Sequence, residues 1–212
     1  MKKNLRNILV LSLGLMTTIA SAQWSADSRT RIDNTDSEAR TAVQRFTVGA
    51  DWGGIHASYD INYNVDGGDA THDVYEAYAS TDLMGFGTLT IGRQDLSFGS
   101  GALISSNDWG TNRYTNDGVS LSMDLASVNI TAGSMGGLNT DNNYMNASTS
   151  VAGADVNILM MNDGDNSAHG YDLSYSMGDF SLSASMNSDF DEDEMTSYGA
   201  SYQVFDNLSA SV

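Results

Sequence analysis

The chain has 212 residues, of which 27 are acidic and nine are basic, so its formal net charge is −18. This acidity excludes nucleic-acid binding, because neutralising phosphates requires clusters of Lys and Arg. Cysteine is absent, which excludes disulfides and Cys-based zinc sites. Proline is absent as well, as suits uninterrupted strands. We predict neither a cofactor nor a bound metal ion.

The first 22 residues have the composition of an export signal. Lys2, Lys3 and Arg6 precede an apolar stretch over residues 8–19, and Ala20-Ser21-Ala22 forms a small-residue cleavage site. The apolar stretch is too short for a spanning helix, and no later stretch replaces it. We therefore predict a signal peptide over residues 1–22 and an exported mature chain that begins at Gln23.

Residues 55–65 alternate without interruption between apolar and polar side chains. Ile55, Tyr59 and Ile61 lie on one face, while His56 and Asp60 lie on the other. A period of two indicates a β-strand. Eleven residues at about 3.3 Å each, tilted by about 40°, rise about 28 Å, close to the hydrocarbon thickness of a bilayer. The segment is therefore a candidate transmembrane barrel strand.

The same alternation predicts about thirteen strands. They begin near Trp24, Ala42, Ile55, Asp73, Gly87, Gly118, Val128, Tyr144, Asp155, His169, Phe180, Ser197 and Leu208. Short connections such as 53–54, 126–127 and 178–179 alternate with long ones such as 66–72, 94–117 and 162–168. Bacterial outer-membrane barrels alternate short periplasmic turns with longer outer loops in this way.

The pattern therefore predicts an all-β fold, a transmembrane antiparallel up-and-down β-barrel of the porin type. This outer-membrane barrel forms one domain over residues 23–212. The thirteenth strand is short, and an odd number of strands does not close a barrel of this kind. We expect the chain to be an N-terminal fragment of a larger barrel, with a twelve-strand barrel as the alternative. A soluble, acidic secreted protein is a further alternative.

The connection over residues 94–117 differs from the other long ones because it carries apolar side chains. These are Leu96, Phe98, Leu103, Ile104 and Trp109. Exposing these side chains to water would be unfavourable, so we expect this loop to pack against the inner wall of the barrel.

Several residues in and around this loop form a recognisable pattern. They are Gly92-Arg93-Gln94, Leu96, Phe98-Gly99, Leu103-Ile104, Asp108-Trp109, Arg113 and Asp117-Gly118-Val119. The pattern resembles the signature of alginate-export-like outer-membrane porins. The resemblance implies a monomeric or homo-trimeric diffusion channel whose third outer loop narrows the pore. It also implies that the constriction is lined or braced by Arg93, Asp95, Asp108, Trp109, Arg113 and Asp117.

The polar faces of the predicted strands supply the candidate lumen residues. They are Arg29, Arg31, Arg45, Asp51, His56, Asp60, Glu76, Asp124 and Asp172. Arg29, Arg31 and Arg45 either form a basic patch on one wall or pair individually with nearby carboxylates. Both interpretations remain open.

The acidic surplus predicts a channel for ions and small hydrophilic solutes that prefers cations. Its expected partners are outer-membrane lipid and such solutes. The alternative is a non-conducting barrel or a surface adhesin that binds through its acidic outer loops. The acidic loop residues, which are 189–194 or else Asp163 and Asp165, either hold calcium or form a solvated acidic run. The only histidines are His56, His72 and His169, and none has a distinctive catalytic setting, so we predict no enzymatic activity.

Overall fold

The computed structural model describes residues 22–34, 40–65, 67–108, 113–137, 140–205 and 208–211. The predicted export signal lies outside these residues, apart from Ala22. Within the described ranges, no helix has the length and apolarity that crossing a bilayer requires. The regular structure that does form there consists of β-strands.

Thirteen strands form within the described ranges, and each begins within three residues of the start predicted from alternation. Their bounds are β1 (Gln23–Asn34), β2 (Arg40–Trp52), β3 (Ile55–Asn64), β4 (Thr71–Asp82), β5 (Thr88–Gln94), β6 (Asn116–Leu125), β7 (Val128–Met135), β8 (Asn142–Val151), β9 (Ala154–Asp163), β10 (Asn166–Met177), β11 (Phe180–Ser188), β12 (Glu194–Phe205) and β13 (Leu208–Ser211).

The chain divides into two compact units, with the main boundary between Ala79 and Ser80 inside β4. In the first unit, β1 to β4 pair in sequence order, each antiparallel to the next. In the second unit, β5 to β13 pair in the same manner. The predicted fold class, all-β with antiparallel up-and-down strands, is confirmed and is consistent with a β-barrel.

In both units several polar side chains on one side of the sheet are buried, while many large apolar side chains on the other side are exposed. In β3, Ser58 and Asp60 are 6% and 4% exposed, whereas Ile55 is 49% exposed. In the second unit Asn146 is 3% exposed, whereas Leu173 is 48% exposed. A sheet that folds in water has the opposite distribution, with apolar side chains inside. We call the two sides of each unit its polar face and its apolar face.

Several of the buried polar side chains are hydrogen-bonded across neighbouring strands. Thr47 Oγ1 donates to Asp60 Oδ1 at 2.6 Å, and Asn146 Nδ2 donates to Asn157 Oδ1 at 3.0 Å. Burying such groups without partners would be costly, so these bonds are what makes a polar face stable.

One connection is shorter than predicted. The alternation indicates a long loop over residues 162–168, but β9 continues to Asp163 and β10 starts at Asn166. Only Gly164 and Asp165 form the turn. Gly164 has a φ of +62°, a conformation that glycine adopts without strain, and this allows the two-residue hairpin.

A β-bulge in β4 changes which of its residues share a face. The register moves from Ser58 opposite Glu76 to Tyr59 opposite Val74, so Tyr75 is the extra residue, and it is buried. The bulge allows both Asp73 and Glu76 to lie on the polar face of the first unit, with Asp60 and Ser58 as their partners.

Candidate functional site

The connection between β5 and β6, residues 95–115, is called the long loop. Its described residues before the gap at 109–112 fold back over the polar face of the second unit. Its buried residue Ile104 packs in one cluster with side chains from β7 to β10. The cluster consists of Ile104, Met135, Tyr144, Leu159, Met161 and Ala168, with Leu96, Phe98, Leu103 and Phe190 packed against it. The rings of Phe98 and Tyr144 lie 5.3 Å apart. Trp109 lies outside the described residues.

The apolar patch on the polar face was not predicted, although the sequence contains a signal for it. In β9 the run Ile158-Leu159-Met160-Met161 is apolar at four successive positions. Because successive side chains point to opposite faces, such a run makes both faces apolar. From this run, Leu159 and Met161 belong to the buried cluster that includes Ile104 of the long loop.

The tip of the long loop is a tight turn held by its own backbone. Gly101 N donates to Phe98 O at 2.9 Å, and Phe98 N donates to Ile104 O at 3.3 Å. Gly99 has a φ of +55°, which favours glycine. A Cβ on Gly99 would overlap Asp172 Oδ2 and would lie 2.8 Å from Asn157 Oδ1. Glycine at this position therefore allows the loop to touch the wall.

Two further contacts join the loop tip to the wall. Ser185 Oγ of β11 donates to Ser100 Oγ at 3.2 Å. A Cβ on Gly170 of β10 would come within 3.3 Å of Leu103 Cδ1 and would overlap Asn187 Oδ1. The loop is thus seated by polar and apolar contacts together.

A cavity of about 620 Å³ lies beside the loop tip, within the second unit. Its lining is rich in serine, and it includes Gly99, Asn157 and the carboxylates of Asp124, Asp155 and Asp172. No basic side chain is among the residues that line it. Of these residues, Asp124 and Asp172 were predicted from the sequence, whereas Asp155 and Asn157 were not.

The predicted constriction residues occupy different places. Asp95 lies in the long loop, and Arg113 Nη1 lies 3.6 Å from Asp108 Oδ1. Arg93 instead donates to both carboxylate oxygens of Asp117, at 2.9 and 3.0 Å. Arg93 and Asp117 face each other across β5 and β6 on the side of Ile91 and Val119, which is the apolar face.

The structure brings the three predicted arginines of the first unit onto one face. Arg29 of β1 lies directly opposite Arg45 of β2, and Arg31 follows two residues after Arg29. Arg45 is buried, and Asn62 lies opposite it on β3. This arrangement is compatible with a basic patch. It is equally compatible with separate ion pairs, because the carboxylate of Asp60 lies on the same face, two residues before Asn62.

Three other predicted lumen residues meet in the first unit. His56 Nδ1 lies 2.7 Å from Asp51 Oδ1, and His56 Nε2 lies 3.2 Å from Glu76 Oε2. The ring of Tyr78 stacks on the imidazole at 4.8 Å. Tyr78 was not among the predicted residues. The other two histidines, His72 and His169, lie opposite Ile61 and Met160 on the apolar faces.

The acidic segment after β11 forms a local turn. Asp189 Oδ1 accepts hydrogen bonds from the backbone N–H groups of Asp191 and Asp193, both at 3.0 Å. Within the part of the chain that the structure describes, no three His, Cys, Asp or Glu side chains meet in a way that could hold a metal ion.

Comparison with known proteins agrees with the resemblance seen in the loop. The model of a protein family described as alginate export matches residues 18–132, more than half of the chain. The match includes the first six strands and the long loop. A comparison with curated proteins gives no match. The chain belongs to the alginate export family.

Proposed function

We propose that this chain forms the wall of an outer-membrane channel through which ions and small hydrophilic solutes diffuse, with a preference for cations. In this proposal residues 1–22 direct export in a Gram-negative cell, and the apolar faces contact lipid. The family match supports a transport role and gives no support for catalysis.

The observation that carries the proposal is the reversed burial of the strands. Asp60 and Asn146 are nearly inaccessible, while Leu173 and Tyr198 are widely exposed. Exposed apolar side chains are stable when they contact lipid. In a membrane barrel, the polar side chains line a water-filled interior. The same pattern in both units supports a membrane barrel over a soluble protein.

The long loop supports a narrowed pore. It lies on the polar face of the second unit, and its tip contacts Asp172 and Ser185 there. We therefore propose that the loop restricts the passage on this side, with Asp95, Asp108 and Arg113 as charged loop residues. Arg93 and Asp117 are left out of this constriction because they lie on the apolar face.

The charges favour cations over a polyanionic sugar. The cavity beside the loop tip has three carboxylates and no basic lining residue. Fixed negative charge raises the local concentration of cations and repels anions. For this chain we accordingly propose small cationic or neutral solutes, although its family is described by alginate export.

The test is single-channel recording of the full chain, refolded in detergent, in planar lipid bilayers. We expect discrete open-channel steps and, in a KCl gradient, a reversal potential of the sign given by K⁺ permeation. Absence of steps would support the non-conducting barrel or adhesin instead, and anion selectivity would refute the cation preference.

The role of the long loop is tested in the same recordings. Ile104→Asp places a charge in the apolar cluster, so we expect it to release the loop and raise the conductance. Tyr114→Asp is the matched control, because Tyr114 belongs to the same loop and is exposed. An oxidised Ser100→Cys/Ser185→Cys pair should hold the loop in place without lowering conductance, and the chain contains no other cysteine. Equal conductance in Ile104→Asp and Tyr114→Asp would contradict the constriction.

A further inference from the structure

We propose that Asp172, beneath the tip of the long loop, is the residue that determines the selectivity of the pore for cations. This inference rests on the proposed channel function. It goes further than the general surplus of acidic residues, because it assigns most of the preference to one carboxylate.

The first argument is the position of Asp172 in the fold. It lies on the polar face of β10, between Asn157 of β9 and Ser185 of β11. Gly99 of the loop approaches its carboxylate so closely that a side chain at position 99 would overlap Asp172 Oδ2. Asp172 is thus a wall residue in contact with the loop tip, and it also lines the cavity.

The second argument is the hydrogen bonding of the three cavity carboxylates. Asp124 Oδ1 accepts from Asn129 Nδ2 at 2.9 Å, and Asp155 Oδ2 accepts from Ser174 Oγ at 3.4 Å. Asp172 Oδ1 is buried and has no hydrogen-bond partner among the described residues. A buried carboxylate oxygen without a donor is destabilised unless a cation or water approaches it.

The third argument is that the immediate neighbours of Asp172 present oxygens rather than cations. Asn157 directs its Oδ1 toward the loop tip, where this oxygen would lie 2.8 Å from a Cβ on Gly99. The same oxygen accepts a hydrogen bond from Asn146 Nδ2 at 3.0 Å. Of the arginines in the second unit, Arg93 pairs with Asp117 on the other face and Arg113 lies near Asp108. Carboxylate, amide and hydroxyl oxygens together suit a hard cation such as K⁺ or Na⁺ passing the loop.

The test compares isosteric variants that each remove one negative charge from the same cavity. We expect Asp172→Asn to lower the permeability ratio of K⁺ to Cl⁻ by about threefold, since a unit charge acts over several ångströms even in water. Asp124→Asn is the matched control, because its carboxylate already has a donor, and we expect a smaller change. Equal effects of the two variants would overturn the inference in favour of the overall charge surplus.

A rescue experiment separates a local charge effect from a folding defect. In Asp172→Cys, which introduces the chain's sole thiol, we expect an anionic methanethiosulfonate reagent to restore the cation preference and a cationic one to reverse it. A thiol that no reagent reaches, or that reacts without changing selectivity, would overturn the inference. A wild-type protein that opens no channel would refute the proposed function itself. If the wild-type protein conducts and the Asp172→Asn variant has the same permeability ratio of K⁺ to Cl⁻, only the role of Asp172 is refuted.

Discussion

Arg93 and Asp117 show how one side chain's position on a strand changes its role. The guanidinium makes two hydrogen bonds to the carboxylate, and the pair lies on the apolar face beside Ile91 and Val119. The family resemblance implies both residues in the constriction, whereas the strand register separates them from Gln94 and Ser120 on the polar face.

From this position we expect the pair to contribute modestly to stability and not to ion selectivity. Arg93 and Asp117 lie at the loop ends of β5 and β6, next to Gln94 and Asn116, and so at the edge of the span rather than at mid-bilayer. Both side chains are well exposed, and water-exposed ion pairs contribute about 0.2–1 kcal/mol. We expect a double-mutant cycle with Arg93→Gln and Asp117→Asn, measured by urea unfolding in lipid vesicles, to give a coupling energy in that range. The reversal potential should be unchanged in either single variant. A clear shift in selectivity would place the pair in the pore.

At the scale of the strand, alternation decides what each face contacts. In β10, Leu173 is exposed on the apolar face, whereas the hydroxyl of its neighbour Ser174 donates to Asp155 Oδ2 on the polar face, at 3.4 Å. Two adjacent residues of one strand are thereby expected to meet lipid and water respectively.

Introducing the same charge at these two positions tests this expectation. An arginine on the lipid face near mid-bilayer costs about 2–4 kcal/mol, whereas lumen positions tolerate charge. We expect Leu173→Arg to lower the free energy of unfolding in lipid vesicles by roughly this amount, and Ser174→Arg to lower it much less. Ser174→Arg should in turn weaken the cation preference, because it adds a positive charge to the cavity. Equal destabilisation by the two variants would contradict a lipid-facing apolar side.

At the scale of the whole molecule, the dominant property is the net charge of −18. Exposed charges act over about 10 Å in 0.1 M salt and about 3 Å in 1 M salt. The part of the cation preference that comes from exposed, distant charges should therefore decrease as the salt concentration is raised.

We expect the permeability ratio of K⁺ to Cl⁻ to fall between 0.1 and 1 M KCl without reaching one. The remaining preference should depend on Asp172, because a partly buried charge is screened less than an exposed one. The measurement is the reversal potential at a constant concentration ratio across the bilayer, in wild type and Asp172→Asn. A ratio that does not depend on salt would exclude long-range charge as a contributor.

Much of the fold follows from local pattern. The starts of the strands and the polar side of β3 are readable because alternation depends only on neighbouring residues along the chain. The turn at Gly164 was read as a long loop because polar residues there occur equally in loops and in hairpin ends.

The candidate site was predictable only in part. The apolar residues of the long loop indicated that it packs against a wall, and Asp172 was placed on a polar face. Gly99 of the loop lies against Asp172, and Leu103 lies against Gly170, which has no side chain. Both contacts join residues that are far apart in the chain. No local period encodes such a contact.

Composition and alternation alone thus account for an acidic, antiparallel sheet with one polar and one apolar side, because charge and side-chain direction are local properties of the chain. Only the folded chain shows where the long loop rests, that Arg93 and Asp117 pair on the apolar face, and which carboxylate lies under the loop tip. Those features depend on strand register and on packing between distant segments, and both arise only when the sheet has formed.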